Sequence, residues 1–222
     1  MPRKKFIYTS QAPYHVTNRV NNKDWYSVPL GEVWTIYEAV LTETANRYGL
    51  ENHVFVLMAN HFHLVVSTPQ KNLPRAMRYF LTEVSRAIGR LSGRTNHIFG
   101  GRYRWSVLWA ARDIAYVYKY VCRNPIRAGI VNRIEEYPYS SFVRFFGNQS
   151  NMPITEGIGS LWTWVPKEPA ARARWVNLKV GVEEERLISL ALRRYEFKLP
   201  NHSATASARE KLEREYGVGT CG

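Results

Sequence analysis

The chain has 222 residues, with 31 Lys or Arg against 18 Asp or Glu and a net charge of +13. That length allows one domain, or one domain with a substantial appendage, and the positive excess points to a polyanionic partner. No apolar run approaches the ~18–20 residues of a membrane span, the start (residues 1–10) is charged without an apolar signal region, and Cys122 and Cys221 are too few for a disulfide scaffold or zinc site.

In chain order, residues 13–20 alternate as a strand. Val33, Ile36, Tyr37, Val40, Leu41 and Thr44 mark an amphipathic helix ending near Gly49. Residues 53–67 read as one buried strand carrying His61 and His63. Alternation sends both imidazoles to one face and Phe62 into the core. Asn72 and Pro74 start a second helix, with Leu73, Met77, Phe80, Leu81, Val84 and Ile88 on its core face. Its outer face carries Arg75, Arg78, Arg86 and Arg90, a predicted DNA-facing row. Residues 98–109 are mixed and predict one or two strands.

Asp113 then reads as the N-cap of a helix whose core stripe is Ile114, Val117 and Val121. Pro125 disfavours helical geometry at Asn124, so the helix is expected to end there. Tyr116, Tyr120 and Asn124 share the other face, four residues apart. Residues 147–160, rich in Gly, Asn, Ser and Pro, read as a linker. Beyond it, residues 183–195 and 208–216 have helical pattern, and 200–209 read as turn or coil. The expected division is therefore a catalytic domain over 1–146, a linker over 147–160 and an extension over 161–222. Strands and helices around one antiparallel sheet make an α+β fold.

Two imidazoles on one strand face are half of a metal site. A divalent cation held by His61, His63 and an amide oxygen could polarise a phosphodiester. Tyr120 could then attack phosphorus and form a covalent phosphotyrosine. His15, His53, His97 and His202 read as ordinary surface or capping residues, with His15 in question because it shares a predicted strand.

Charge and aromatics agree with a nucleic-acid partner. Lys71 to Arg133 holds 13 Lys or Arg against Glu83 and Asp113. Phe99, Tyr103, Trp105 and Trp109 lie among Arg94, Arg102, Arg104 and Arg112, a mixture suited to unpaired bases. The residues expected to bind DNA are Arg19, Arg75, Arg78, Arg86, Arg90, Arg102, Arg104, Lys119, Arg123 and Arg127.

His61-Phe62-His63 resembles the His-hydrophobic-His signature of HUH single-strand endonucleases. The wider pattern is similar to the REP-associated tyrosine transposases, relatives of single-tyrosine insertion-sequence transposases. It rests on Tyr14-His15-Val16-Thr17-Asn18-Arg19, on residues 56–64, on Gly101-Arg102-Tyr103, on residues 120–129 and on Tyr139-Ser140-Ser141-Phe142. The resemblance covers residues 8–146, with two departures, Ala59 before the Asn of the strand motif and Cys122 at a commonly polar position. It implies a ferredoxin-like antiparallel sheet with helices on one face and Tyr120 as nucleophile. It also implies Asn124 as a third metal-side ligand and Mg2+ or Mn2+ as the cation, where imidazoles alone would favour softer metals. The implied substrate is a repetitive extragenic palindromic hairpin with a short 5′ single-stranded flank. Related insertion-sequence transposases are dimers that exchange the tyrosine helix; for this branch the expectation is a monomer, cytoplasmic with reduced thiols and associated with the nucleoid. The competing readings are a non-catalytic hairpin-binding protein and a metal-dependent phosphodiesterase using water.

Overall fold

The structure, a computed structural model, describes residues 5–147 and 150–199. Four strands form one sheet: β1 (Tyr14–Arg19), β2 (Glu51–Met58), β3 (His61–Ser67) and β4 (Arg104–Val107). Their order is β2-β3-β1-β4 and every neighbouring pair is antiparallel. The single histidine strand expected over 53–67 is in fact the hairpin β2–β3, turning at Ala59-Asn60. Its apolar run carries neither Gly nor Pro to announce a turn. The turn is held from outside, where Val20 N–H donates to the Asn60 carbonyl at 2.8 Å and Tyr26 N–H to the Ala59 carbonyl at 3.0 Å.

Helices α1 (Leu30–Tyr48) and α2 (Leu73–Ser92) cover one sheet face, as expected. Their Tyr37, Leu41, Phe80 and Val84 pack with Phe55, Phe62 and Leu64. Gly49 ends α1 at φ 61°, the left-handed region that glycine enters without a Cβ penalty. The opposite face is covered too, by α3 (Ala111–Arg127) with α4 (Pro169–Asn177) and α5 (Val182–Ala191). Helices on one face therefore describes α1 and α2 alone.

Helix α3 departs from its sequence reading at both ends. It starts at Ala111, with Asp113 inside the first turn, and passes through Pro125 to Arg127. Every residue from Ile114 to Pro125 is buried, because the C-terminal segment covers the side turned away from the sheet. Lys119 and Arg123, expected on DNA, are among them. The Lys119 ammonium lies 5.6 Å from the Trp175 ring centroid. Arg123 donates to the carbonyls of Val176, Asn177 and Leu178 at 3.0, 3.3 and 3.0 Å and pairs with Glu185 at 3.3 Å. These three carbonyls close α4, whose terminal oxygens lack helical partners and carry partial negative charge.

The described part of the stretch read as a linker, from residue 150 on, is a strap on the sheet. Met152 enters the α1–α2 core, and Thr155 N–H donates to the Asn52 carbonyl at 2.6 Å. His53 Nδ1–H donates to the Thr155 carbonyl at 3.0 Å while its Nε2 accepts from Ser67 Oγ at 2.8 Å. Beyond the strap, Trp162, Trp175, Ile188 and Phe197 join the α3 core. The expected helix over 183–195 stops at Ala191, and Tyr195 and Phe197 instead bond the β4 edge through Val107, at 2.9 Å each. Leu57 on the other edge strand donates to the Tyr139 carbonyl at 2.9 Å, so both sheet edges are engaged. Among the described residues no helix is long and apolar enough to cross a membrane. The helix expected over 208–216, His202 and Cys221 lie outside the described residues.

Arg123→Ala should destabilise the fold by about 3 kcal/mol, since it strands three carbonyls and Glu185. The urea midpoint should fall at unchanged slope, whereas Arg86→Ala on the outside of α2 should leave it within about 0.5 kcal/mol.

Candidate active site

The site begins with the hairpin register. His61 stands opposite Met58 on one side and Arg19 on the other; His63 stands opposite Val56 and Thr17. Phe62, Leu64 and Val66 belong to the α1–α2 core, so His61 and His63 face α3. Their ring centroids are 5.0 Å apart.

Each ring is anchored through Nδ1. His61 Nδ1 lies 2.7 Å from Asn60 Oδ1, and His63 Nδ1 lies 2.8 Å from His15 Nε2. Burial lowers the His61 pKa to about 4, with further push from Arg19 and Arg127. Burial lowers His15 to about 3 and takes His63 well below its ordinary value, with smaller contributions from the other two histidines and the same arginines. All three are therefore neutral at pH 7, the state that leaves a ring nitrogen lone pair. The expectation that His15 and His53 are surface or capping residues is overturned: both are buried, His15 against His63 and His53 under the strap and Trp162. His97 is exposed, as expected.

Tyr120 reaches this face from α3. Its ring centroid is 6.0 Å from that of His63, edge to face, and the Arg127 guanidinium lies over it at 4.6 Å. Tyr116, one turn earlier, is buried in the core rather than at the site. Asn124 is buried as well. Pro125 has no N–H to give the Val121 carbonyl. Asn124 Nδ2 turns back onto its own helix, donating to the carbonyls of Tyr120 at 2.9 Å and Val121 at 3.4 Å. Its Oδ1 accepts from Arg127 Nη2 at 3.0 Å. The amide expected to complete a metal shell is thus occupied with the helix terminus and with Arg127.

His15, His61, His63, Tyr120, Arg19, Arg102, Arg104 and Arg127 line one open cavity of about 710 Å3. Lys23, Ser189, Leu192 and Arg193 also line it, and among the described residues no Asp or Glu does. Four of the residues expected on DNA meet here. Arg75, Arg78, Arg86 and Arg90 form a separate exposed row on α2, across the sheet from the histidines. Of the aromatics among the arginines, Trp105 is core, Phe99 and Tyr103 pack on it, and Trp109 donates to Glu196 at 3.1 Å. Trp105, Phe99 and Tyr103 are therefore spent on folding, whereas Trp109 stays exposed. Residues not foreseen at the site are His15, Asn60, Lys23 and Arg193. Asn60 is visible in the strand motif, but the other three come from segments joined only by the fold.

Two neutral imidazoles fit a divalent cation as a partial shell. Among the described residues no group of three or more His, Cys, Asp or Glu could hold a metal ion by itself. Beyond these two imidazoles, a bound phosphate and water are oxygen donors of the kind a divalent cation takes.

Because folding depresses the pKa of His15, His53 and His61, the unfolded chain takes up protons first as pH falls. Stability should be full above about pH 6.5 and decline towards about pH 3. Urea midpoints at pH 7.5, 6.0 and 5.0 should fall in that order; a flat series would contradict burial of neutral imidazoles.

Residues 8–124 match the family model described as "Transposase IS200 like". The match spans β1 through Asn124 and so includes His61, His63 and Tyr120. A REP-associated tyrosine transposase of Haemophilus influenzae is 26% identical over 120 residues, 49% of this chain and 68% of the relative. Among solved structures, a REP-associated tyrosine transposase bound to a REP hairpin superposes with a TM-score of 0.56 at 16% identity, over 72% of this chain and 93% of that one. A transposase from Deinococcus radiodurans gives a TM-score of 0.37 at 19% identity, over 47% of this chain and 84% of its own. Histidine hairpin, tyrosine helix and sheet order thus lie within a matched region covering more than half the sequence, and the chain belongs to the IS200-like transposase family.

Proposed function

We propose that this protein cleaves and rejoins single-stranded hairpin DNA through a covalent phosphotyrosine at Tyr120. One observation carries the reading: a phenol from α3 and two neutral imidazoles from β3 share one cavity lined by arginines. In this reading the Tyr120 oxygen attacks phosphorus, one phosphorus–oxygen ester bond breaks, the phenol proton is lost, and the departing deoxyribose oxygen gains a proton. One phosphodiester is exchanged for another, so a free strand hydroxyl can reverse the step and rejoin DNA. Arg19 and Arg127 flank the reacting phosphate and stabilise charge on its oxygens. His61 and His63 would hold Mg2+ or Mn2+, which supplies Lewis-acid polarisation of the phosphate. Arg102 and Arg104, from the β4 side of the cavity, position the neighbouring backbone.

The hairpin substrate rests on the relatives, one of which is named for its REP hairpin complex. An open groove that admits Tyr120 to phosphorus suits an unpaired flank better than stacked duplex. In this reading the protein acts as a monomer, with Tyr120, His61 and His63 drawn from one chain.

Tyr120→Phe should abolish the protein–DNA adduct on a labelled hairpin with Mn2+ while leaving hairpin affinity within about threefold, since only a hydroxyl is lost. Tyr118→Phe, in the core between Trp162 and Trp175, should form adduct normally. Cleaved product without adduct in the wild type would favour the water-using phosphodiesterase; binding with no product would favour the non-catalytic binder.

His61→Ala and His63→Ala should each lower cleavage at least 100-fold, and the double variant should be scarcely worse, because the two ligands act as a unit. Undiminished cleavage in EDTA would remove the metal from the mechanism.

A further inference from the structure

We infer that His15 and Asn60 are positioning residues that fix His63 and His61 in the same tautomer, so that both rings present an unprotonated Nε2 to the cavity. The inference rests on the reading of His61 and His63 as cation ligands and names what orients them.

The argument starts at Asn60, where chemistry settles the donors. Its Nδ2 lies 2.9 Å from the Lys23 carbonyl, a group that can only accept. The amide nitrogen must therefore face Lys23, and the amide oxygen faces His61. An oxygen in that place only accepts, so the His61 proton sits on Nδ1. With Nδ1 carrying a proton, Nε2 is the nitrogen left to bind a cation.

Lys23 offers its carbonyl from an unusual backbone. Asn22 and Lys23 stand at φ 55° and 62°, left-handed values rare for residues with a side chain. This turn is tied to the histidine hairpin by Asn60 Nδ2 and by Tyr26 N–H on the Ala59 carbonyl. Tyr26 is itself pinned by its hydroxyl, 2.7 Å from that of Tyr37. The strained turn and the orientation of His61 are thus parts of one hydrogen-bonded unit.

His63 has an imidazole where His61 has an amide. His15 Nε2 lies 2.8 Å from His63 Nδ1, with ring centroids 5.1 Å apart. Both rings are buried, and a bond between two ring nitrogens 2.8 Å apart holds one proton, so it has two forms. With the proton on His63 Nδ1, His63 Nε2 is a ligand. With it on His15 Nε2, His63 must carry its N–H on Nε2 and becomes a donor to phosphate instead. The reading of both rings as cation ligands selects between them. Two neighbouring rings, 5.0 Å apart and opening into one cavity, form a paired ligand set only if both offer lone pairs. The form with His15 as acceptor makes the pair. Outer partners of this kind set the tautomer and orientation of metal-ligating histidines.

The test reads nitrogen protonation directly, in the full chain without metal. Long-range proton–nitrogen NMR of the histidine-labelled protein at pH 7.5 should show Nδ1–H and bare Nε2 for both His61 and His63. His15→Leu should move His63 towards Nε2–H and weaken Mn2+ binding 10- to 100-fold by calorimetry. His15→Gln, whose amide oxygen can accept the same bond, should keep the tautomer and most of the affinity. Wild-type His63 protonated on Nε2 would overturn the inference, as would a His15→Leu protein with unchanged tautomer and affinity. The wild-type spectrum needs no variant to fold. It also separates this inference from the proposed activity: absence of Mn2+ binding or adduct in the wild type would sink that reading while the tautomers remained measurable.

Discussion

Strand β3 is packed on both faces, and the alternation of its side chains sets everything around it. Phe62, Leu64 and Val66 fill the core beneath α1 and α2, while His61, His63 and Val65 face α3. A one-residue slip of register would put the phenylalanine into the polar cavity and imidazoles into an aromatic cluster with Tyr37, Phe55 and Phe80. The large apolar area committed on the far face is what keeps two desolvated histidines where they are.

The second constraint is the cover over α3. A helix with Lys119 and Arg123 on its outer side would ordinarily leave that side in water. Here Trp175 and the carbonyl end of α4 take up the two cations. Burying a guanidinium is costly unless its protons are matched, and three carbonyls with Glu185 provide the match. The cover also brings Ser189, Leu192 and Arg193 to the cavity rim, so the segment after the family-matched region forms part of the site wall.

The cavity's electrostatics follow from these two arrangements. Guanidiniums of Arg19, Arg102, Arg104, Arg127 and Arg193 surround imidazoles that burial keeps neutral. Adding protons to the rings beside those cations would be unfavourable, and among the described residues no carboxylate lines the cavity to offset the field. A field of that sign suits a polyanionic strand, whose phosphates bring negative charge.

The sequence by itself determined the α+β class, the shared face of His61 and His63, the end of α1, the start of α2 and the placing of Tyr120 on a helix. Each depends on local periodicity, caps or a short motif, and each needs only neighbours along the chain. It also carried the family pattern through Tyr120 and Asn124. Tertiary structure decided the rest. Whether a cation meets solvent depends on what packs over it, so Lys119 and Arg123 went inward while Arg102 and Arg127 stayed at the cavity. The hairpin turn at Ala59-Asn60 is held by Val20 and Tyr26, from a segment distant in sequence. Asn124 was claimed by the carbonyls that Pro125 cannot serve and by Arg127. His15 joined His63 because β1 lies beside β3 in the sheet. Strand order and register bring those rings together, and both are settled by long-range pairing that no single segment encodes.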